Sequence, residues 1–238
     1  MLAENVLTGS TLLDKTVCFT FDDGPGRPFF KTTGPKTLEI AKYLHNEGIV
    51  ATFFVVGKFV KKYPHIVKQV KELGHIIGHH TTTHPDMNRE FNKGNNMVPE
   101  LAETEQLIKG QITNNTIYFR PPYGRWNSEM CKQLNQSLHT ECNYVGPIGW
   151  HIDGSDWWFW SKFDKDAAIK CAEHYLKLIR AEKKGIILMH DSNANKLWGI
   201  IRNWNNKTLE TVKMVVTELK KEGYSFVSLD QINFEIPS

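Results

Sequence analysis

Residues 16–25 have the sequence TVCFTFDDGP, and this stretch indicates the fold class. Its first six residues are β-branched, aromatic or otherwise apolar, which is the composition of a buried strand. Two aspartates, Asp22 and Asp23, follow at the carboxyl end of the strand, and Gly24 and Pro25 then turn the chain away. The stretch therefore predicts a buried strand that carries polar groups at its carboxyl end.

The same alternation of strand and helix patterns continues along the whole chain. Short apolar runs alternate with longer amphipathic stretches, and several of these end at a glycine in the usual helix stop position. About seven such repeats favour a closed or nearly closed α/β barrel over an open sheet. The predicted strands span 16–21, 51–56, 75–78, 117–120, 148–152, 185–190 and 225–227, and the predicted helices span 36–46, 66–73, 97–108, 129–137, 166–180 and 208–222.

The composition is that of an ordinary globular protein. Hydrophobic residues make up 40% and charged residues 23% of the 238 positions, which is enough apolar material for a sizeable core. No linker or internal repeat divides the chain, so we predict an N-terminal extension at 1–15 and a single domain at 16–238. The formal net charge is only +3 and no block of like charges occurs, so we expect no nucleic-acid partner.

The first strongly apolar run, at 17–21, is too short to cross a membrane, and no signal-peptide pattern precedes it. We expect no integral membrane segment and a monomer. The protein would be secreted, periplasmic or facing the cell wall if a leader has been removed, and cytoplasmic otherwise. The cysteines form no Cys-x-x-Cys pair, which argues against a thiolate zinc cluster, although Cys131 and Cys142 could pair in an oxidising compartment.

The paired carboxylates after the first strand are open to two interpretations. Successive strand residues point to opposite faces, so Asp22 and Asp23 can act together only if the turn redirects one of them. Taken alone, an exposed Asp-Asp-Gly turn is the simpler interpretation.

Residues 78–85, GHHTTTHP, contain three histidines. Neutral imidazoles four residues apart, such as His80 and His84, can bind one metal ion, and the three threonines favour a tight loop over a helix. With Asp23 they would form a set of two histidines and one carboxylate that leaves positions open for water and substrate. The alternative is that His80 and His84 only satisfy backbone groups. We assign His79 no ligand role.

Three further polar clusters follow apolar runs, at 120–124 (RPPYG), 153–157 (DGSDW) and 188–191 (LMHD). Each is weak alone, since the first could be a surface anchor, the second a turn and the third a helix cap. Catalytic residues of barrel enzymes come from the carboxyl ends of several strands, so the five clusters together predict a single active-site mouth.

These five clusters, in this order and at these spacings, resemble the motifs of the polysaccharide deacetylase family, the carbohydrate esterases that include chitin and peptidoglycan deacetylases. The similarity extends from about residue 16 to residue 232. It implies a distorted (β/α) barrel of about seven strands and one divalent metal ion, usually zinc and sometimes cobalt. The resemblance also implies roles for single residues. Asp22 would be the general base, held by Arg120, and His190 would be the general acid, paired with Asp153. The metal ligands would be Asp23, His80 and His84, the Tyr123 backbone amide would face the oxyanion, and the substrate site would include Tyr123, Pro122, Trp157 and Leu188.

The implied reaction is the hydrolysis of N-acetyl groups on amino sugars of a chitin-like, peptidoglycan-like or poly-N-acetylglucosamine chain. The metal would polarise water and the acetyl oxygen, Asp22 would accept a proton from the attacking water, and His190 would protonate the departing amine. An acetyl xylan esterase, a small-molecule amidohydrolase on the same scaffold, and a catalytically silent carbohydrate-binding relative are the alternatives.

Two loops depart from the family pattern. The stretch 27–34 is longer than usual, and residues 157–160, WWFW, are exceptionally aromatic. Four successive rings cannot all face one core from a loop, so one or two of them are predicted to line a sugar-binding groove. If the added loops close the cleft, the site would accept chain ends in preference to internal residues.

Overall fold

A computed structural model describes residues 1–9, 11–29 and 33–234 as a parallel sheet surrounded by helices. The strands are β1 (Thr16–Gly24), β2 (Thr52–Val55), β3 (Ile76–His79), β4 (Thr116–Tyr118), β5 (Asn143–Val145), β6 (Ile152–Asp153), β7 (Gly185–His190) and β8 (Ser225–Phe226). The helices are α1 (Thr37–Asn46), α2 (Gly57–Lys62), α3 (Pro64–Glu72), α4 (Met87–Asn92), α5 (Val98–Ile108), α6 (Ser128–Ser137), α7 (Asp156–Phe159), α8 (Ala167–Glu182), α9 (Gly199–Trp204) and α10 (Thr208–Lys221).

The strands form one main parallel sheet and one smaller parallel pair. The main sheet has the order β3-β2-β1-β7-β6, with β8 paired to the first two residues of β1, and β4 pairs with β5. Single bridges from His79 to Phe119 and from Leu7 to Ile148 extend the pairing beyond the main sheet. The predicted α/β class is confirmed, and the arrangement is a distorted (β/α) barrel in a single domain.

The central strand β1 is buried on both faces. Phe19 and Phe21 belong to the main core, which also contains residues of α1, α3, α8 and α10, and the Phe21 ring stacks on Phe53 at 5.0 Å. Cys18 belongs to a separate apolar cluster that includes Phe54. The sequence of a strand that is buried on both faces is a nearly continuous apolar run, and residues 16–21 have this pattern.

Residues 1–15 lie against the barrel where the structure describes them. Leu2, Leu7 and Leu12 are buried. The Leu7 N–H donates to the carbonyl of Pro147 at 2.7 Å, and the Gly149 N–H donates to the carbonyl of Leu7 at 2.8 Å. The boundary between this extension and the catalytic domain at residue 15 stays a prediction.

The predicted elements correspond to observed ones, with additions. All six predicted helices are present, and each predicted strand overlaps an observed strand, although the stretch 148–152 contributes only Ile152 to β6. Strand β5 and the short helices α2, α4, α7 and α9 were not predicted, because elements of three to six residues are too short for a periodic pattern to emerge.

The structure also bears on the cysteines and on membrane insertion. Cys131 and Cys142 are both buried free thiols, so the disulfide considered above is absent here. No described helix is long and apolar enough to span a membrane.

Candidate active site

Strand β1 ends in a bulge that turns two adjacent carboxylates toward one cavity. In the ladder with β2, Asp22 pairs with Phe54 and Gly24 pairs with Val55, so Asp23 is the extra residue. Asp23 has a left-handed backbone (φ 74°), which breaks the alternation of a regular strand. Both carboxylates are buried and line the same cavity. The bulge therefore turns Asp23 toward the same side as Asp22, so that the two aspartates can act together.

Arg120 lies beneath Asp22, as predicted. Its side chain is fully buried, and one terminal nitrogen lies 2.8 Å from Asp22 Oδ1 and 2.8 Å from Thr20 Oγ1. The other nitrogens donate to the carbonyls of Ile148 and Gly149, both at 3.0 Å. Because all three nitrogens of this guanidinium donate hydrogen bonds, its position is fixed, and it holds Asp22 Oδ1 while Oδ2 is left toward the cavity.

The three predicted metal ligands converge. Asp23 Oδ1 lies 2.9 Å from His84 Nε2 and 3.5 Å from His80 Nε2. One ligand atom from each of Asp23, His80 and His84 lies within 4.8 Å of the others. A carboxylate and two imidazoles at such spacing form a candidate site for a divalent metal ion.

The hydrogen bonds around the triad fit a bound cation. His80 Nδ1 lies 2.7 Å from the carbonyl of Arg120, which can only accept, so Nδ1 carries a proton and the neutral ring would offer its Nε2 lone pair to a cation. Asp23 Oδ2 accepts from the Ala194 N–H at 2.8 Å, whereas Asp23 Oδ1 is buried and has no hydrogen-bond partner among the described residues. A buried carboxylate oxygen without a hydrogen-bond donor is costly, and a cation beside it would remove that cost.

The histidine segment is a tight loop, as the threonines predicted. Thr81 and His84 both have left-handed backbones, and Glu100 of α5 accepts hydrogen bonds from the N–H groups of Thr82 and Thr83 at 2.9 and 2.8 Å. This support holds the loop in a conformation that brings His84 back toward Asp23.

His79 has a structural role. Its Nδ1 accepts from the Thr81 N–H at 3.1 Å, so its Nε2 donates to the Leu101 carbonyl at 2.9 Å. Burial lowers the pKa of His79 to about 4, which keeps the ring neutral.

The partner of His190 is Asp156, and the predicted pairing with Asp153 is wrong. His190 Nδ1 lies 2.7 Å from Asp156 Oδ1, and the His190 N–H donates to Asp156 Oδ2 at 2.8 Å. Asp153 ends β6 with an exposed side chain, and its Oδ1 accepts from the Ser155 N–H at 2.7 Å. Ser155 has a left-handed backbone (φ 47°), and the chain turns there so that Asp156, at the start of α7, is buried beside His190.

The charges of the site act strongly on the pKa values of His190 and Asp23. Burial lowers the pKa of His190, but the charge and hydrogen bond of Asp156, together with the charges of Asp23 and Asp22, outweigh burial and raise it to about 10. Burial raises the pKa of Asp23, but the neighbouring His84, His80 and His190 hold it well below its ordinary range. His190 is therefore an imidazolium and Asp23 a carboxylate near neutral pH.

Left-handed backbone recurs in all but one of the polar clusters of the site. Asp23, Thr81, His84, Tyr123 and Ser155 all have positive φ although none is glycine. Such conformations cost about 1–3 kcal/mol each and persist where the surrounding structure enforces them, commonly at functional sites. Each of them changes the chain direction next to a group that faces the cavity.

The predicted site residues share a cavity of about 350 Å³, within the usual size range of small-ligand sites. Two predicted residues are not among those that line it: Arg120 lies beneath Asp22, and Pro122 is buried in the turn before Tyr123. Contact between Pro122 and a substrate stays a prediction. The lining residues are Asp22, Asp23, His80, His84, Tyr123, Gly124, Trp150, Asp153, Trp157, Leu188, His190, Asn193 and Arg202.

The aromatic run at 157–160 divides as expected between cavity and core. Trp157 lines the cavity, Trp158 is exposed, and Trp160 is buried in the main core. The other departing loop, at 27–34, includes residues 30–32, which lie outside the described residues. Whether the loops restrict the site to chain ends therefore stays a prediction.

Sequence reasoning missed three contributors: the Asp156 carboxylate, the Ala194 amide and the Arg202 guanidinium. Asp156 belongs to the 153–157 cluster, but the sequence pattern does not indicate whether Asp153 or Asp156 pairs with His190. Arg202 lies in α9, a helix too short to be predicted from the sequence, and a single arginine there gives no functional signal.

Comparison with known proteins agrees with this geometry. The sequence model of the polysaccharide deacetylase family matches residues 9–141, more than half of the chain. The chain is 28% identical to peptidoglycan-N-acetylmuramic acid deacetylase PdaA of Bacillus subtilis (strain 168) over 224 residues, which are 93% of this chain and 73% of that protein. It is 29% identical to the chitooligosaccharide deacetylase of Rhizobium leguminosarum bv. trifolii over 224 residues, 92% of each chain.

A solved structure supports the same assignment. The polysaccharide deacetylase Bc1974 from Bacillus cereus is similar to this chain with a TM-score of 0.68 at 28% sequence identity, and the match covers 91% of this chain and 92% of that one. The chain therefore belongs to the polysaccharide deacetylase family and is a hydrolase that acts on carbon–nitrogen bonds other than peptide bonds.

Proposed function

We propose that this protein removes N-acetyl groups from amino-sugar residues of a polysaccharide or oligosaccharide. The reaction would use one divalent cation, zinc, which cobalt could replace. One observation carries the proposal: a candidate cation site of Asp23, His80 and His84 shares a buried cavity with a free carboxylate oxygen and an imidazolium. Acetamide hydrolysis needs those three functions within reach of one carbonyl group.

Asp22 is suited to the role of base. A cation held by Asp23, His80 and His84 would polarise the acetyl carbonyl and ease deprotonation of the attacking water. Asp22 Oδ1 is engaged by Arg120, and Oδ2, 3.7 Å from His80 Nε2, is directed to the same point as the candidate ligands. Asp22 Oδ2 would accept the proton of the water whose oxygen adds to the acetyl carbon.

His190 is suited to the role of acid. Its Nδ1 is committed to Asp156, which leaves Nε2 to donate a proton to the sugar nitrogen as the carbon–nitrogen bond breaks. The products are acetate and a free amino sugar. The Tyr123 backbone amide, on its left-handed turn, is the proposed donor to the oxyanion, a contribution typically of about 3 kcal/mol.

We expect Asp156→Asn to move the alkaline limb of the pH–rate profile to lower pH. The reaction needs protonated His190, so the rate falls as pH rises through the pKa of that residue. Asp156 is the main group that raises this pKa to about 10, and a cation beside Asp23 would offset part of the increase. Removing the Asp156 charge lowers the pKa, so the enzyme loses its acid at a lower pH.

Asp153→Asn is the matched control, because Asp153 lies just before the same loop, and its described hydrogen bonds and ion pairs do not include His190. Initial rates of acetate release between about pH 6 and 11 for wild type and both variants would show the shift. A larger shift in Asp153→Asn than in Asp156→Asn would contradict the assigned pair.

The substrate class is tested by measuring acetate and free amine together. Chitin oligomers, peptidoglycan, a β-1,6-linked N-acetylglucosamine polymer and acetylated xylan form the panel, with Asp22→Asn as the inactive control. We expect equimolar acetate and amine from at least one N-acetylated glycan. Acetate without amine, from xylan only, would indicate an esterase and contradict the proposal.

A further inference from the structure

The active-site cavity holds a second arginine that the proposed reaction does not use. Arg202 lies on α9, in the segment between β7 and α10, and it lines the same cavity as Asp22 and His190. Burial lowers its pKa somewhat from the ordinary value for arginine, while Asp23, Tyr123 and Asp156 oppose that change, so the group remains a cation.

The surrounding residues fix the position of Arg202. Its Nε donates to Ser161 Oγ at 3.0 Å, and Ser161 in turn donates to the Trp157 carbonyl at 2.9 Å. The guanidinium carbon lies 4.6 Å from the centre of the Trp157 ring. Asn203, the next residue of α9, donates to the Asn193 carbonyl at 3.0 Å and so ties the helix to the loop that follows β7. The side chain is therefore preorganised, which reduces the entropy lost on binding.

The charge of Arg202 lies against the Trp157 ring and is not paired with a carboxylate among the described residues. Within the part of the chain that the structure describes, no carboxylate forms an ion pair with Arg202, and its two terminal nitrogens make no hydrogen bond. Three of the acidic groups at the cavity have other partners: Asp22 pairs with Arg120, Asp156 faces His190, and Asp23 belongs to the cation site. The fourth, Asp153, accepts from the Ser155 N–H and forms no ion pair with Arg202 among the described residues. With a divalent cation bound and His190 protonated, these charges balance Asp22, Asp23 and Asp153 along the cavity lining, so Arg202 contributes a net positive charge.

We propose that Arg202 binds a carboxylate of the glycan and makes the enzyme selective for acidic amino sugars, of which N-acetylmuramic acid with a free lactyl group is the example. This inference rests on the proposed deacetylase function and specifies its substrate class. A guanidinium whose terminal nitrogens form no hydrogen bond to any described residue presents the fork that matches a carboxylate, and the neighbouring Trp157 offers a flat surface to the sugar ring.

The test compares two substrates that differ only in that charge. The first is a short oligosaccharide of alternating N-acetylglucosamine and N-acetylmuramic acid with free lactyl carboxylates, and the second is the same oligosaccharide with those groups converted to carboxamides. We expect wild type to have a kcat/KM about 10- to 100-fold higher on the acid, the usual worth of one charge-assisted contact, with a preference that weakens as salt rises.

Arg202→Met should remove most of this preference through a higher KM for the acid, and Arg202→Lys should retain part of it. Arg180→Met is the matched control, because it removes an arginine charge that is paired with Glu222. In this variant the ratio of kcat/KM on the acid to kcat/KM on the amide should stay at the wild-type value.

Two outcomes would overturn the inference: a wild type that does not prefer the acid, or an Arg202→Met enzyme that loses activity equally on both substrates, which would indicate a general electrostatic role. A wild type that releases acetate from none of the N-acetylated glycans, these two oligosaccharides and the panel above included, would instead refute the proposed function.

Discussion

His80→Ala should lose its divalent cation and nearly all of its deacetylase turnover. His80 is held by its hydrogen bond to the Arg120 carbonyl so that Nε2 faces Asp23, and alanine removes one of the three candidate ligands found among the described residues. Charge stabilisation by a catalytic metal is worth several kcal/mol, so we expect turnover to fall by about 1,000-fold or more. Elemental analysis of the purified protein should give about one equivalent of zinc or a similar ion in wild type and a small fraction of it in the variant.

A matched histidine substitution controls for this result. His139 is exposed, in the loop that follows α6, so His139→Ala should keep both the metal and the activity. The double variant His80→Ala/His84→Ala provides the stricter case, because only Asp23 would remain of the triad. A double variant that still holds a full equivalent of metal would show that the ion binds elsewhere.

His190→Ala should retain its fold and metal but lose turnover by roughly 100- to 10,000-fold, the usual worth of general acid catalysis. The side chain makes its principal contact with Asp156 and is not a candidate metal ligand. Substrate binding should change little. The alkaline limb that titration of His190 produces in wild type should also be absent from the residual activity of the variant, since no imidazolium remains to be deprotonated.

Thermal unfolding and metal content establish whether the His190→Ala protein is intact, and pH–rate profiles on the preferred N-acetylated glycan then measure the chemistry. Near-normal turnover in this variant would mean that another group, or water, protonates the leaving nitrogen. An unchanged alkaline limb would lead to the same conclusion.

The barrel and most residues at its active-site end could be predicted, because each long strand produces a recognisable apolar pattern in the sequence. The apolar runs at 16–21 and 185–190 are buried strands that neighbour each other in the sheet, and their polar continuations at Asp22 and His190 lie side by side in the ladder. Parallel pairing places such carboxyl ends at one edge, so no detail of side-chain packing was needed to group the clusters.

The finer pairings could not be predicted, because they depend on single backbone conformations. The left-handed backbone at Asp23 makes two adjacent carboxylates usable together, and the one at Ser155 precedes the buried Asp156 while Asp153 stays exposed. Non-glycine residues adopt this conformation only when the surrounding structure enforces it, so the sequence around them gives no local signal. Arg202 has the same limitation, because its position depends on contacts with the distant Ser161 and Trp157.

The most direct test of a metal-dependent deacetylase built on Asp23, His80 and His84 is acetate release before and after removal of the metal. Wild-type enzyme is assayed on its preferred N-acetylated oligosaccharide, then after exhaustive treatment with a chelator, and again after one equivalent of zinc is returned. We expect release to stop on chelation and to recover with zinc in wild type, but not in His80→Ala. Acetate release that continues at the original rate in metal-free protein would contradict the proposed mechanism.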